Sequence, residues 1–261
     1  MTQVVLRDRS QWRWLGKPMA RADVVAKSTG TQVYGIDLVL PDMLHATVRM
    51  APWGGTVARL DPSPPKACPA SCACCRSPGC RGSGARHLVR DAGRAGAGRR
   101  ICGPDTAGDQ QAIWAALQAA HDAGDIDSRK RDDGDVDAAI GPGDFTAEYR
   151  VPFLAHAPLE PMNATVLVTD AACTIWAGTQ VPDFAVARAA ALTGLPKTAI
   201  RLENQMIGGS FGRRLEIDFI AQAVQIAMAV PGRPVKLTWS REEDFVHDQP
   251  RPRRSPASGA A

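Results

Sequence analysis

The stretch Met206-Ile207-Gly208-Gly209-Ser210-Phe211-Gly212-Arg213-Arg214 constrains this chain more than any other. It lies between a strand-like run, Thr198 to Ile207, and a helix-like run, Glu216 to Ala229. Glycine at 208, 209 and 212 removes a Cβ at three closely spaced positions, so the backbone can adopt positive φ and its N–H groups can approach a ligand. A helix N-terminus directly after the loop would add orphan N–H donors and a partial positive charge, which together favour an anionic ligand. On spacing alone a plain strand-to-helix turn is the commoner explanation, with a cofactor cradle as the alternative. There is no G-x-G-x-x-G, and no Lys-Ser/Thr pair comes after the last glycine, so neither a nicotinamide nor an ATP site is indicated.

The longer run resembles a known family. Gly-Gly-Ser-Phe-Gly-Arg-Arg-Leu-Glu-Ile-Asp-Phe-Ile-Ala-Gln-Ala, followed by Gly232-Arg233-Pro234-Val235-Lys236-Leu237-Thr238-Trp239-Ser240-Arg241-Glu242-Glu243-Asp244, is similar to the molybdenum-binding large subunit of the xanthine dehydrogenase and aldehyde oxidase family. Its isoquinoline 1-oxidoreductase beta-subunit branch is the nearest, because two arginines come after the glycine-phenylalanine-glycine loop there too. Lys27, Gly30, Tyr34, Asp37, Pro41, Met43-Leu44 and Pro52 resemble, in order and spacing, the start of the family's hammerhead α/β domain. The resemblance implies an α+β fold, a hammerhead-like α/β domain followed by the first part of a molybdopterin-binding α/β domain.

Along the chain, residues 1–61 read as globular sequence. A strand is expected over Tyr34–Leu40, stopped at Pro41, and another from Leu44 to Val48. Residues 62–108 differ: Ala, Cys, Gly, Pro, Arg and Ser dominate, and no hydrophobic period of 2 or 3.6 is present. Such a segment buries too little apolar area to offset its ordering entropy, so it is expected to be disordered. Three origins compete: a natural linker, a metal module, or an out-of-frame segment. Reading GC-rich codons out of frame yields this composition, and family-like sequence breaks off after Asp61 and resumes near Gln111. Residues 109–138 carry a helix around Ala112–Ala120 and a charged linker, 139–248 the second domain, and 249–261 a disordered tail.

Within 139–248 the pattern predicts strands at Phe145–Val151, Asn163–Thr169 and Thr174–Gly178. A helix from Val181 to Thr193 is opened by Pro182 and closed by Gly194. Thr198–Ile207, the helix Glu216–Ala229 and the strand Val235–Trp239 then form a strand–helix–strand unit, which implies a parallel crossover. Ser240-Arg241-Glu242-Glu243 fits a capping box.

Composition excludes some classes. The 31 Lys+Arg against 27 Asp+Glu give a net charge of only +4, which argues no nucleic-acid partner. No apolar run reaches the ~20 residues of a bilayer span, and Met1 to Ala20 has no apolar signal region, so as it stands the chain reads as cytoplasmic. Related full-length subunits are often exported to the periplasm. Six of the seven cysteines, Cys68, Cys72, Cys74, Cys75, Cys80 and Cys102, fall within 62–108. Cys72-x-x-Cys75 with Cys68, Cys80 or His87 could form a zinc or iron–sulfur module, but the second regularly spaced pair is absent.

His156-Ala157-Pro158-Leu159-Glu160-Pro161 joins an imidazole and a carboxylate in a proline-fixed loop; it is most simply a buried, satisfied loop, and a closely similar segment occurs in the family. From the residues alone, Gln180 is an ordinary strand-end polar side chain, and Arg213 and Arg214 could be a solvated helix-start pair or could grip phosphate or pterin oxygens. The resemblance implies that Gln180, Gly208, Gly209, Ser210, Phe211, Gly212, Arg213 and Arg214 bind a molybdopterin-type molybdenum cofactor. Within that set the Gln180 amide would reach a molybdenum oxo group or the pterin, and Phe211 and Gly212 would give backbone N–H contacts.

The resemblance further implies an oxidoreductase acting on aldehydes or N-heterocycles with water as the oxygen source, its electrons leaving through iron–sulfur clusters on a small partner subunit. The family's general base is expected beyond this chain, so no catalytic residue and no protein metal ligand is assigned. Many relatives have Gly-Lys-Glu after the loop, whereas Arg213-Arg214-Leu215 precedes Glu216 here, so the substrate-binding glutamate of relatives does not transfer to Glu216. The chain is expected to be a fragment without turnover of its own. The rival readings are a non-enzymatic truncated product and the cysteine metal module.

Overall fold

The computed structural model describes residues 5–50, 56–60, 74–75, 86–89, 99–102, 110–124, 133–139, 147, 149–152 and 154–249, with the backbone alone for 56–102 and 136–137. Its strands are β1 (Leu44–Arg49), β2 (Thr56–Leu60), β3 (Cys74–Cys75), β4 (Arg86–Val89), β5 (Arg99–Cys102), β6 (Asn163–Val168), β7 (Cys173–Ala177), β8 (Ile200–Asn204) and β9 (Val235–Thr238). Its helices are α1 (Val24–Ser28), α2 (Gln110–Asp122), α3 (Val136–Ala139), α4 (Pro182–Thr193), α5 (Asp218–Met228) and α6 (Arg241–Val246). One mixed sheet runs β3-β4-β1-β9-β6-β7-β8, and β2 pairs with β5 apart from it. This is the α+β fold that the sequence implies.

The half of the sheet that positions the loop is built from strong local signals. Strand β6 lies between β9 and β7 and is buried almost throughout, as a central strand with both faces covered should be. A short turn takes it into β7, where the Thr169 N–H donates to Ala172 O at 2.9 Å. Helix α4 starts with Pro182 in its first turn and ends at Gly194, whose φ of +75 is the left-handed cap that glycine adopts without strain. It carries the chain to β8, which pairs parallel with β7.

Helix α5 buries Phe219, Ile220, Ala223, Val224, Ile226 and Ala227 against the sheet and α4. Because β6 is antiparallel to both β7 and β9 while β8 is parallel to β7, β8 and β9 run in the same sense. The expected parallel crossover is therefore present, although β9 inserts on the far side of β6 rather than beside β8. Trp239, 1% exposed, closes the core and donates its Nε1–H to Gln222 Oε1 at 2.9 Å.

Several expectations are corrected. Tyr34–Leu40 is not a strand; Gly35–Asp37 is a 3-10 turn, because the Asp37 carboxylate accepts the Tyr34 N–H at 3.0 Å and Lys236 Nζ donates to Ile36 O at 2.5 Å and Leu38 O at 2.6 Å. In the expected strand 145–151, residues 145, 146 and 148 lie outside the described residues, 147, 149 and 150 have no regular structure, and Val151 makes a single bridge. Of the Ser240 box only one half forms: the Ser240 hydroxyl accepts the Glu243 N–H at 3.3 Å, but the Glu243 carboxylate crosses to the Met50 N–H at 2.9 Å and to Arg49.

Segments 1–61 and 139–248 share one sheet and one core. Strand β1 pairs parallel with β9, and Ala46, Val48 and Met50 join the cluster formed by α5 and β6. Within 62–108 the structure describes β3, β4 and β5, and the rest of that segment, like the tail from 250, lies outside the described residues.

Candidate functional site: the glycine loop and its two buried arginines

The loop leaves β8 at Asn204 and meets two other segments. One is Gly178–Gln180 at the end of β7, where the Thr179 N–H donates to Asn204 Oδ1 at 3.0 Å and the Gln180 N–H to Arg214 O at 3.0 Å. The other is the proline-fixed loop 156–161, whose Glu160 N–H donates to Gly208 O at 3.1 Å. The glycines serve different ends. A Cβ on Gly208 would lie 2.7 Å from Glu160 Cβ, so its missing side chain makes room for a protein carboxylate rather than for a ligand. Gly209 and Gly212 have φ of +111 and +106, a region that side chains rarely adopt. Between them Phe211 has φ +55 and is 64% exposed, a non-glycine residue in left-handed backbone at the tip of the loop.

The expected helix does not start directly after the loop. The chain enters a 3-10 turn over Arg213–Leu215, and α5 begins only at Asp218. The first N–H groups of that turn are already used, Arg213 N–H donating to Ser210 O at 2.9 Å and Arg214 N–H to Ser210 Oγ at 3.0 Å. The α5 N-terminus and its dipole are not joined to the loop.

Arg213 and Arg214 are fully buried, so they are neither a solvated pair nor free to grip a ligand with their guanidinium groups. Arg214 donates from Nε to Gly209 O at 3.2 Å, from Nη1 to Gly178 O at 3.2 Å, and from Nη2 to Glu160 Oε2 at 2.9 Å. Burial pushes its guanidinium below the ordinary value, with the Glu160 carboxylate opposing the shift. Glu160 is in turn saturated: Oε1 accepts from Ile36 N at 2.9 Å and Asn163 Nδ2 at 3.0 Å, and Oε2 from Gly208 N at 2.7 Å as well as from Arg214. With four donors on its two oxygens, Glu160 has no lone pair left for a substrate proton.

Arg213 makes a forked pair with Asp218, Nη1 to Oδ1 at 3.1 Å and Nη2 to Oδ2 at 2.8 Å, and lies over the Trp239 ring at 5.3 Å. Its Nε stands 3.2 Å from Asp248 Oδ1, at ion-pair distance but without hydrogen-bond alignment. Asp248 also accepts the His156 backbone N–H on Oδ2, and His156 Nδ1 lies 2.9 Å from Oδ1. His156 Nε2 points at the loop, 3.5 Å from where a Cβ on Gly212 would stand. Sequence reading missed Asp248 altogether; it sits far along the chain from both partners, and nothing local marks it.

Gln180 and Ser210 come together as a directed pair. The Ser210 hydroxyl accepts the Arg214 N–H at 3.0 Å, so its own proton goes to Gln180 Oε1 at 2.5 Å. That orients the Gln180 amide with its NH2 away from Ser210, and Gln180 is exposed. Among the described residues the N–H groups of Gly209, Ser210 and Gly212 have no acceptor. Several donors thus remain open on one short loop whose backbone is fixed from behind.

The family model for the molybdopterin cofactor-binding domain matches residues 118–255, more than half of the chain. This chain belongs to that family. Among related proteins, this molybdopterin-domain chain is 28% identical to the isoquinoline 1-oxidoreductase subunit beta of Brevundimonas diminuta over 93% of its own length and 32% of the relative's. It is likewise 28% identical to a membrane-bound aldehyde dehydrogenase of Gluconacetobacter polyoxogenes, over 95% of this chain and 34% of that one. Its fold matches quinoline 2-oxidoreductase from Pseudomonas putida 86 with a TM-score of 0.63 at 18% identity, covering 92% of this chain and 36% of that structure. CO dehydrogenase from Oligotropha carboxidovorans matches with a TM-score of 0.61 at 17% identity, covering 88% and 35%. The chain therefore spans about a third of the length of the relatives it matches.

The open donors suit such a cofactor, whose phosphate, pterin and oxo oxygens are acceptors. Among the described residues no three His, Cys, Asp or Glu side chains cluster as a metal site, and no helix is long and apolar enough to cross a membrane. The side chains of the cysteine module at 68–80 lie outside the described residues.

Proposed function

We propose that this chain forms the part of a molybdenum hydroxylase large subunit that seats the molybdopterin cofactor, in an enzyme oxidising aldehydes or N-heterocycles. The observation that carries this is the rigidly backed loop with open donors at Gly209, Ser210, Gly212 and the Gln180 amide. When bound, the cofactor supplies a metal centre that activates water as the oxygen source and accepts the electrons. The residues of this chain hold it. Gly209, Ser210 and Gly212 give backbone N–H donors, and Gln180, turned by Ser210, offers its NH2 to an acceptor oxygen. Phe211 presents its ring at the exposed tip. Arg213 and Arg214 act from behind as positioning residues, since their guanidinium groups are buried on protein partners.

No general base is assigned within the described chain. Glu160 is saturated, and Glu243 is committed to Met50 and Arg49. The relatives are named as one subunit of several, which supports partner subunits in the whole enzyme, and the electron outlet is read as a small iron–sulfur subunit among them.

The test is expression of the chain in a host that makes molybdenum cofactor, with and without a small iron–sulfur subunit. Molybdenum and pterin content would be measured, together with aldehyde and N-heterocycle oxidation using an artificial electron acceptor. The expected result is detectable but weak cofactor retention and no turnover, because one part of a subunit cannot enclose a cofactor seated among several. Stoichiometric molybdenum with turnover would overturn the fragment reading, and no retention of pterin at all would overturn the cofactor-seat reading.

A further inference from the structure

His156 is used by none of the interactions that hold the loop in shape, yet it is built with care. Its side chain is 9% exposed, and Asp248, 3% exposed, takes both its backbone N–H and its Nδ1. A carboxylate only accepts, so Nδ1 must carry the proton; in the neutral ring Nε2 is then left with a lone pair. Among the described residues Nε2 has no partner. It faces Gly212, where φ of +106 keeps the position a glycine and where the N–H has no acceptor either. With Nδ1 fixed by the carboxylate, the imidazole turns Nε2 toward the loop as the nitrogen left to meet a ligand. Arg213 Nε lies 3.2 Å from Asp248 Oδ1, so the carboxylate that orients the ring is shared with a buried guanidinium.

We propose that His156 is a ligand-contacting residue of this site, whose Nε2 accepts a hydrogen bond from an N–H donor of the group seated on the 208–212 loop. Asp248 is its positioning residue. The proposal rests on the cofactor-seat reading above and gives it chemistry: the backbone donors of the loop recognise oxygens, whereas His156 recognises an N–H, and a pterin ring system carries both.

The full 261-residue chain, labelled with 15N on histidine and backbone, allows both readings to be tracked together. Long-range 15N–1H spectra of His156 and the amide signals of Gly209, Ser210 and Gly212 would be recorded while molybdopterin cofactor released from a molybdoenzyme is added. Before addition Nδ1 should be protonated and Nε2 bare; on addition Nε2 should shift together with the loop amides. His156→Phe, which keeps a ring and removes the nitrogens, should weaken retention of the pterin about tenfold, the loss of one hydrogen bond. Asp248→Asn should leave the ring a mixture of tautomers, with an intermediate Nε2 shift.

If the loop amides move while Nε2 does not, or if Nε2 is found protonated before addition, this proposal fails and the cofactor seat stands. If neither moves and no pterin is retained, the cofactor seat fails and takes the proposal with it. Equal retention by His156→Phe and the native chain would also refute the role of His156.

Discussion

The two arginines after the loop are neighbours in sequence and opposites in what they leave behind them. On the Arg214 side every polar group is matched: the guanidinium holds Gly178, Gly209 and Glu160, and Glu160 gathers Ile36, Asn163, Gly208 and Arg214. On the Arg213 side the matching is incomplete. Arg213 Nε lacks an aligned acceptor, His156 Nε2 lacks a partner among the described residues, and the Gly212 N–H is open. The first side is a clamp that fixes the backbone; on the second, buried Arg213 Nε is out of a ligand's reach, and His156 Nε2 and the Gly212 N–H are the groups to spare for one.

The largest expected effect lies in the clamp. Glu160→Ala strands a buried guanidinium together with the Ile36 and Gly208 N–H groups, so unfolding stability should fall by about 3–5 kcal/mol in urea titration. A loss below about 1 kcal/mol would mean that the clamp is not formed. Asp248→Asn, on the open side, should cost less, about 1–3 kcal/mol, because Arg213 keeps its fork on Asp218 while only the Asp248 charge is lost. A cost equal to that of Glu160→Ala would remove the distinction between the sides. Gly212→Ala should cost about 1–2 kcal/mol through the positive φ alone, since its Cβ would meet His156 Nε2 at an ordinary 3.5 Å. A larger loss would show that the loop packs more tightly against His156 than this.

The smallest effect is one of pH. Burial lowers the His247 imidazole below its ordinary 6.5, with Glu243 opposing and Arg49 reinforcing the shift. A folded-state value below the unfolded one makes the native state favour the neutral ring, so its contribution is present above pH 6.5 and lost as pH falls through the lower, folded-state value. His247→Gln should flatten the decline of stability below that pH; an unchanged slope would place the proton uptake elsewhere.

Legibility in the sequence depends on how local each cause is. The β6–β7 pair, α4 and its Gly194 cap, α5 and β9 were all readable, because alternation, Pro182 and Gly194 act over a few residues. The 3-10 turn at Gly35–Asp37 was not, since Lys236 of β9 grips the carbonyls of Ile36 and Leu38 from about two hundred positions away. The loop itself was found from its glycines, but the reason for one of them was misjudged, as Gly208 yields space to Glu160 and not to a ligand. Two adjacent arginines after a loop look like solvated charges. Their burial is dictated by Glu160, fifty-four positions before Arg214, and by Asp248, which carries no local signature.

The contrast between the sides of the loop is tested most directly by native-state hydrogen exchange on the intact chain, read at single amides. The account predicts strong protection of the Gly208 and Ile36 N–H groups, which donate to Glu160 at 2.7 and 2.9 Å, and exchange close to the unstructured rate for Gly209, Ser210 and Gly212. Gly208 exchanging as fast as Gly212, or Gly212 protected as well as Gly208, would contradict it.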